Sequence, residues 1–360
     1  MKSITEIDKN FSQSAITKED IKYYNIKEKP FKIYGLYEPL EDGGYKRLPD
    51  DVAKNVNAGV AVLYRCTTGG RVRFKTNSEY IAIKAIFPKK ELHMPPQMSV
   101  VGSNGFDIYI DGHHAGAYVP KIEYPDGCTP KYSMDGGYDA IKEFKNNGMK
   151  DVIINFPIFG EVEELFIGLQ EDALVLEGDK YRNEKPIVYY GSSITHGACA
   201  SRPGNTYQNI LSRWLNCDFI NLGFSGNARA EDAIAEYISN LDMSVFVYDY
   251  DHNAPSVEHL RKTHEKMFKK IREKHPNLPV IMASRPNNAE ADSIQERIEI
   301  IKETYNNAKK TGDNNVYFIN GQDIFNEIDP DILTVEGTHP NDFGFYCMAK
   351  AFREIIEKVI

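Results

Sequence analysis

Two serines and a histidine follow a short apolar run in the segment IVYYGSSITHG, residues 187–197. A serine at the turn between a strand and a helix exposes its hydroxyl. The backbone amide of the same serine then lies near the start of the helix, where it can stabilise a negatively charged oxygen. Because Ser193 combines an exposed hydroxyl with such an amide, it is a candidate nucleophile for acyl transfer. The alternative is that Ser193 only caps the following helix, which is a common role for serine.

Two further segments contain candidate donors for an oxyanion. Gly226, in GFSGNAR (223–229), lets the backbone approach a ligand and frees an N–H to point at it, although a plain tight turn explains it equally well. Asn253, in YDYDHNAP (248–255), offers a side-chain amide. The alternatives there are an Asx turn or a metal site built from the neighbouring carboxylates and imidazole. No second ligand group stands out elsewhere, so we expect no metal.

A candidate base lies in the segment TVEGTHPNDFG, residues 334–344. Glu336 precedes His339 by three residues across a glycine, so its carboxylate can fold back onto the ring. One ring nitrogen would then be held as a donor, and the other would be left to take a proton from serine. The alternative is a histidine near a helix start with an exposed acid beside it.

Two more residues are candidates for substrate contacts. His196 is a possible second base, but we expect it on the first helical turn, pointing to the cleft rim or to solvent. Arg202 follows in a loop with glycine and proline, where it can contact a substrate hydroxyl or carboxylate. The alternative for Arg202 is an ordinary surface arginine.

The second half of the chain, residues 185–360, supplies the elements that must position these groups. Five apolar strands alternate with helices of ten residues or more, which predicts a doubly wound, five-stranded parallel sheet covered on both faces. In such sheets ligands bind beyond the carboxyl ends of the strands. All four segments fall at such ends. The predicted strands are 186–191, 218–223, 244–250, 278–284 and 315–320.

The first half, residues 1–180, has short strands rich in Val, Ile, Tyr and Phe, separated by glycine, proline and asparagine. This pattern predicts an antiparallel all-β sandwich or jelly roll. We place the boundary between the two predicted domains in the polar segment 177–186. The predicted strands of this half are 61–67, 72–77, 80–87, 106–112 and 151–159.

Composition narrows the class of protein. The 360 residues carry a net charge of −9, which argues against general nucleic-acid binding because that requires a basic face. The five cysteines are scattered and form no CxxC, so neither a disulfide framework nor a zinc knuckle is indicated. The first residues lack the apolar run of a signal peptide, and no run of about 18 apolar residues occurs. We expect a cytoplasmic protein that does not bind membranes.

The four segments resemble those of the SGNH (GDSL-type) hydrolases, whose blocks carry Ser, Gly, Asn and His in that order. The resemblance implies Ser193 as nucleophile, His339 as base, and an oxyanion hole from Ser193, Gly226 and Asn253. Family members usually have aspartate three residues before the histidine, and Glu336 stands there in this chain. Residues 1–180 resemble, more weakly, the β-sandwich that precedes the flavodoxin-like hydrolase domain in one subgroup.

The resemblance implies a serine esterase without cofactor. The accessory sandwich and the lack of a large apolar lid favour a small acyl group, above all acetyl, on a carbohydrate, with a small molecule or an oligosaccharide as the substrate. The alternatives are a lipid ester hydrolase of the lysophospholipase or lipase type and an inactive glycan-binding protein. A nucleotide or phosphate binder is disfavoured because neither GxGxxG nor GxxxxGK[ST] occurs. The sequence leaves a homo-oligomer open.

Overall fold

The computed structural model describes residues 16–89, 95–123, 131–133, 136–286, 293–325 and 328–360. Twelve short strands are found in the described parts of the first half. They are β1 (Ile21–Asn25), β2 (Lys32–Tyr34), β3 (Arg71–Thr76), β4 (Tyr80–Ile86), β5 (Phe106–Ile110), β6 (His113–Tyr118), β7 (Lys121–Glu123), β8 (Lys131–Ser133), β9 (Tyr138–Glu143), β10 (Lys150–Asn155), β11 (Glu164–Gln170) and β12 (Val175–Glu177).

Two antiparallel sheets form a sandwich from these strands. One has the order β1-β11-β4-β9, and the other has the order β12-β3-β10-β5-β6, with β2 also paired to β3. Alternate side chains of both sheets share one apolar core, as the period of two residues in a strand requires. Phe74 and Ile154 belong to one sheet, Ile83 and Leu165 belong to the other, and all four side chains are buried in this core.

The second half contains a five-stranded parallel sheet, as the sequence predicts. Its strand order is β14-β13-β15-β16-β17, the doubly wound order of flavodoxin-like folds. Every strand is rich in buried apolar residues, because helices cover both faces of a parallel sheet. The strands are β13 (Asn183–Gly191), β14 (Cys217–Gly223), β15 (Val245–Asp249), β16 (Val280–Ala283) and β17 (Val316–Ile319).

Helices connect the parallel strands in two groups. The chain order of the strands reverses at β13, so right-handed crossovers place the helices after β13 and after β14 on opposite faces. The long helix after β13 packs against the last helix of the chain. The helices after β14, β15 and β16 pack against one another in that order. The helices are α1 (Asp50–Val56), α2 (Val60–Leu63), α3 (Val100–Asn104), α4 (Ser193–His196), α5 (Tyr207–Leu215), α6 (Asp232–Ser239), α7 (Val257–Lys274), α8 (Ile294–Lys310) and α9 (Asp342–Val359).

The predicted strand 61–67 is wrong. Residues Val60–Leu63 form the short helix α2, which begins where the Asn57 side chain accepts a hydrogen bond from the Val60 amide at 2.9 Å. A short apolar run is compatible with a strand or a buried helix, and periodicity alone does not separate them. Val60 and Leu63 are buried in the core of the parallel-sheet half, so tertiary packing decides the conformation.

Part of the first half is thus integrated into the second. Leu48, Ala53, Val56 and Tyr64 belong, with α2, to the apolar core around the parallel sheet rather than to the core of the sandwich.

Every described cysteine is buried and outside any disulfide, and Cys128 lies outside the described residues. No helix in the described ranges is long and apolar enough to cross a bilayer.

Candidate active site

The nucleophile candidate lies at the sharp turn between β13 and α4. Ser192 is the N-cap residue, and its hydroxyl accepts a hydrogen bond from the Ile194 amide at 3.1 Å. Ser193 is the first residue of α4, so its amide has no carbonyl partner within the helix. The serine that caps the helix is therefore Ser192, and Ser193 has its hydroxyl free for another role. Ser193 is only 7% exposed.

A buried aspartate accepts hydrogen bonds from residues of this turn. Asp249, the last residue of β15, accepts hydrogen bonds from the Thr195 hydroxyl and the Ser192 amide. Burial raises the pKa of the Asp249 carboxyl to about 8. Only glycine fits at position 191, since a Cβ there would lie 1.8 Å from an Asp249 carboxylate oxygen. Asp249 therefore positions the turn and is itself buried.

The histidine and the glutamate lie in the loop before α9. His339 Nδ1 is 2.5 Å from Glu336 Oε1, and the same oxygen accepts a hydrogen bond from the His339 amide at 3.2 Å. Gly337 has a φ of 83°, the left-handed conformation that glycine adopts without strain. An isolated bridge between Thr334 and Pro340 closes the loop. The extra methylene of glutamate, compared with aspartate, is accommodated.

The fold brings the serine and the histidine into hydrogen-bonding distance. Ser193 Oγ is 2.8 Å from His339 Nε2, although the two residues are 146 positions apart. Both ring nitrogens of His339 are thus engaged, one by the hydroxyl and one by the carboxylate. In this arrangement the ring can accept the serine proton while the carboxylate holds its orientation and stabilises the resulting cation.

The two candidate oxyanion loops are joined to each other. Gly226 has a φ of 70° and occupies the third position of a turn closed by a 2.7 Å hydrogen bond from the Asn227 amide to the Phe224 carbonyl. A positive φ at that position is typical of a type II turn. Asn253, in a 3₁₀ turn after β15, accepts a hydrogen bond from the Ala228 amide at 3.4 Å. The remaining end of its side chain, the NH₂ group, is the donor that an oxyanion would use.

The first half of the chain holds the Gly226 loop in place. Asn57 donates to the Asn227 carbonyl at 3.0 Å, and a Cβ at Gly59 would lie 2.1 Å from the Asn227 side chain. Arg47 is buried and donates to the Asn221 and Gly223 carbonyls at the end of β14, at 3.0 and 2.7 Å. It also donates to the Leu63 and Cys66 carbonyls, at 2.6 and 2.7 Å.

Sequence reasoning did not identify Arg47, because an arginine between a lysine and a leucine in a polar segment has no recognisable signature. It also did not identify Arg285, which lies two residues after the end of β16. Arg285 donates through Nη2 to the Thr338 hydroxyl at 3.1 Å and through its amide to Asp251 at 3.2 Å. It thereby ties the loop of Asn253 to the loop of His339. Its place at the carboxyl end of a strand was the available signal.

Some of the side-chain atoms of the Ser193–His339–Glu336 arrangement could also bind a metal ion. Among the described residues, ligand atoms of Cys199, Glu336 and His339 lie within 4.8 Å of one another. Burial, with a contribution from the Glu336 charge, raises the pKa of the Cys199 thiol to about 12. The thiol is therefore protonated near neutral pH and is a poor metal ligand in that state. The other metal interpretation, at residues 249–253, is not favoured, since Asp249 and Asp251 are bonded within the protein.

The predicted exposure of His196 is wrong. The side chain is 0% exposed, its ring stacks on Phe159 with centroids 4.2 Å apart, and its Nε2 bonds the Ile158 carbonyl at 2.9 Å. Helix α4 turns this side chain towards Ile158 and Phe159, so His196 contacts the first half of the chain. Thr68 also donates to the His196 carbonyl, at 2.8 Å.

Arg202 contacts the sandwich as well. Its guanidinium forms an ion pair with the fully buried Asp107 at 3.0 Å and a hydrogen bond with the Tyr109 hydroxyl. Asp107 also accepts a hydrogen bond from the Gly204 amide at 2.8 Å. These contacts account for Arg202 without a substrate, and a substrate contact remains an untested prediction.

Comparison with known proteins gives consistent matches over both halves. Residues 184–357 match the model of the GDSL-like lipase/acylhydrolase family, and residues 21–175 match a model of the N-terminus of SGNH-hydrolase-type esterases. No match was found among curated proteins.

Three solved structures similar to this chain cover more than nine-tenths of it. A protein from Bacteroides ovatus, described as a GDSL-like lipase, has 29% identity and a TM-score of 0.80, with 94% of this chain and 98% of that chain covered. A salicylyl-acyltransferase from a tetracycline biosynthetic pathway has 20% identity and a TM-score of 0.74, with 95% and 98% covered. A family two carbohydrate esterase from Clostridium thermocellum has 14% identity and a TM-score of 0.62, with 91% and 98% covered.

Proposed function

Because the chain belongs to the GDSL-like lipase/acylhydrolase family, we propose that it is a serine esterase that removes a short acyl group, acetyl above all, from a carbohydrate. The observation that carries the esterase proposal is the chain of contacts from Ser193 to His339 to Glu336, at 2.8 and 2.5 Å. A hydroxyl, an imidazole and a carboxylate in this order are the components of acyl transfer through a covalent intermediate.

In the proposed mechanism, Ser193 Oγ attacks the carbonyl carbon of the ester while its proton passes to His339 Nε2. The carbonyl oxygen becomes negatively charged and is held by the amides of Ser193 and Gly226 and by the side-chain amide of Asn253. His339 then gives its proton to the departing alcohol, which leaves the acyl group on Ser193. A water molecule, deprotonated by His339, attacks the carbonyl carbon of this acyl-enzyme. The bond from that carbon to Ser193 Oγ then breaks, His339 returns the proton to Oγ, and the acid is released.

The carbohydrate part of the proposal is supported by solved structures with this fold. Among the solved structures with this fold are a family two carbohydrate esterase in complex with cellohexaose and an acetyl xylan esterase from Butyrivibrio proteoclasticus. These share 15% and 13% identity with the chain, which supports the common fold, and fold alone does not specify a substrate. In the present chain the first half contributes to the support of the site through Asn57 and Arg47.

The experiment compares 4-nitrophenyl acetate, butyrate and octanoate with acetylated xylo-oligosaccharides, using the wild type and Ser193→Ala. We expect the highest kcat/KM on acetyl esters and a loss of about 10³-fold or more in Ser193→Ala. Ser244→Ala, just before the amino end of β15 and thus at the opposite edge of the parallel sheet from Ser193, is the matched control and should keep wild-type activity. Full turnover in Ser193→Ala would exclude this serine as nucleophile.

The acyl chain length and the acceptor separate the remaining alternatives. A preference for octanoate over acetate would contradict the short-acyl proposal and favour lipid esters. Transfer of the acyl group to an added alcohol in preference to water would indicate an acyltransferase. Labelling of Ser193 by an organophosphonate, detected by mass, is expected for an active site and excludes an inactive glycan-binding protein.

A further inference from the structure

A small cavity between the sandwich and helix α5 contains more positive than negative charge. Its volume is about 110 Å³, and it is lined from the sandwich side by β3 and β10 and from the other side by α5. This volume is well below the roughly 300 Å³ at which pockets for drug-sized ligands begin. Four arginines and three aspartates meet at or beside it, namely Arg71, Arg73, Arg202, Arg213, Asp107, Asp151 and Asp218.

Three of the arginines are neutralised by carboxylates. Arg71 pairs with Asp218, and its remaining nitrogens bond the Tyr181 hydroxyl and the Gly69 carbonyl. The other two pairs are Arg73 with Asp151, at 3.0 Å, and Arg202 with Asp107, at 3.0 Å. The fourth arginine is left without a carboxylate partner among the described residues.

That fourth arginine is Arg213, on helix α5. Its Nη1 donates to the Gly204 carbonyl at 2.6 Å, and its guanidinium lies over the Tyr109 ring, 4.3 Å from the centroid. Burial lowers the pKa of Arg213, although the nearby Tyr109 and Asp107 act in the opposite direction. Burial without an ion-pair partner disfavours the cation, and an anion beside the guanidinium would favour it.

Arg73 provides the second observation that points to a ligand. The side chain is 4% exposed and lines the cavity, yet its Nε and Nη1 atoms have no hydrogen-bond partner in the described parts of the chain. Its Nη2 alone bonds Asp151. A buried charged donor left unsatisfied is costly, so two nitrogens of one guanidinium without acceptors favour the binding of an acceptor beside them.

We propose that this cavity is a binding site for a free, phosphate-sized oxyanion, which is held by Arg73 of the sandwich and Arg213 of the parallel-sheet half. Two guanidinium groups match the oxygens of such an ion, and its negative charge balances the excess arginine. The bound ion joins strand β3 to helix α5 and so strengthens the contact between the two halves. This proposal does not depend on the esterase proposal.

The test is titration calorimetry with inorganic phosphate at constant ionic strength, using wild type, Arg73→Gln and Arg213→Gln. We expect saturable binding of one ion to the wild type, at least about 10-fold weaker binding to each variant, and a phosphate-dependent rise in wild-type Tm. Arg261→Gln, at an exposed arginine paired across α7 and α8, is the matched control and should bind like the wild type. Arg213→Gln keeps the test decisive should Arg73→Gln fail to fold.

Three results would overturn the proposal. These are an absence of saturable binding, equal affinity in wild type and Arg213→Gln, and loss of binding in Asn253→Ala, which would place the ion in the candidate oxyanion hole instead. Glycerol 3-phosphate carries the same head group on a tail. Weaker binding of this compound than of phosphate supports the free ion as the ligand, and tighter binding would contradict that part of the proposal.

Discussion

One oxygen of Glu336 contacts two nitrogens of His339, the ring Nδ1 at 2.5 Å and the backbone amide at 3.2 Å. The carboxylate is therefore fixed in place by the backbone as well as by the ring. Its side chain remains about one-third exposed, so water competes with its interaction with the ring. Both features bear on how much this acid contributes to a reaction at Ser193.

Substitution of Glu336 is expected to lower kcat with little change in KM, because the acid acts on His339 rather than on substrate. For Glu336→Gln we expect a loss of about 10²-fold, at the lower end of the range for orienting acids because the site is partly solvated. Steady-state kinetics on an acetyl ester measures this. Glu336→Asp is the informative partner variant and should retain more activity than Glu336→Gln. Equal kcat in Glu336→Gln and wild type would mean that the backbone alone orients the ring.

Removal of the Asn253 side-chain amide should weaken the hold on the oxyanion. We expect Asn253→Ala to lower kcat by about 10²–10³-fold with KM nearly unchanged. The variant also loses the 3.4 Å contact with the Ala228 amide, so its Tm must be measured beside its kinetics. Asn240→Ala, at an asparagine whose side chain bonds Glu236 and Lys274 on the surface, is the control. A change confined to KM would assign Asn253 to substrate binding instead.

Protonation of Asp249 should make stability depend on pH. Its pKa is about 8 in the folded protein and about 4 in the unfolded chain. The folded state thus keeps a proton that the unfolded state has released, and the stabilisation present below pH 4 is lost as pH rises through 8. The slope reaches about 1.4 kcal/mol per pH unit.

Urea unfolding of wild type and Asp249→Asn between pH 5 and 9 checks this. Asparagine keeps an acceptor for Thr195 and cannot ionise, so its stability should fall less with pH than that of the wild type. Asp232→Asn, at an aspartate whose side chain is 77% exposed, should follow the wild-type curve. Parallel curves for wild type and Asp249→Asn would show that Asp249 is ionised throughout.

Replacement of Arg47 should destabilise the protein and disturb the site together. Arg47→Met leaves four buried carbonyls without their donor, and we expect a loss of about 3 kcal/mol or more in the free energy of unfolding. Because two of these carbonyls lie just before the Gly226 loop, activity should fall at temperatures where the variant is still folded. Arg65→Met, at a more exposed arginine, should cost less than about 1 kcal/mol. A similar loss in both variants would contradict a specific role for Arg47.

The sequence by itself determined the class of fold and the loops that approach one another. Alternation of apolar strands with amphipathic helices specifies a parallel sheet with covered faces, and the carboxyl ends of its strands necessarily share one edge. The four segments with Ser193, Gly226, Asn253 and His339 could be selected on that ground together with the chemistry of their residues. Turn chemistry is local, so the left-handed positions at Gly226 and Gly337 were also within reach of the sequence.

The tertiary structure alone decided the contacts made across the chain. Residues 60–63 are apolar enough for a strand, and only burial against the parallel sheet selects the helix. His196 could point to solvent or inwards, and packing against Phe159 turns it inwards. The sequence around Arg47 is typical of a surface residue, whereas in the structure Arg47 donates to carbonyls of β14. The periodicity of a sequence shows which side of a helix or strand is apolar. A buried polar contact depends in addition on its partner, which can lie over 170 residues away along the chain.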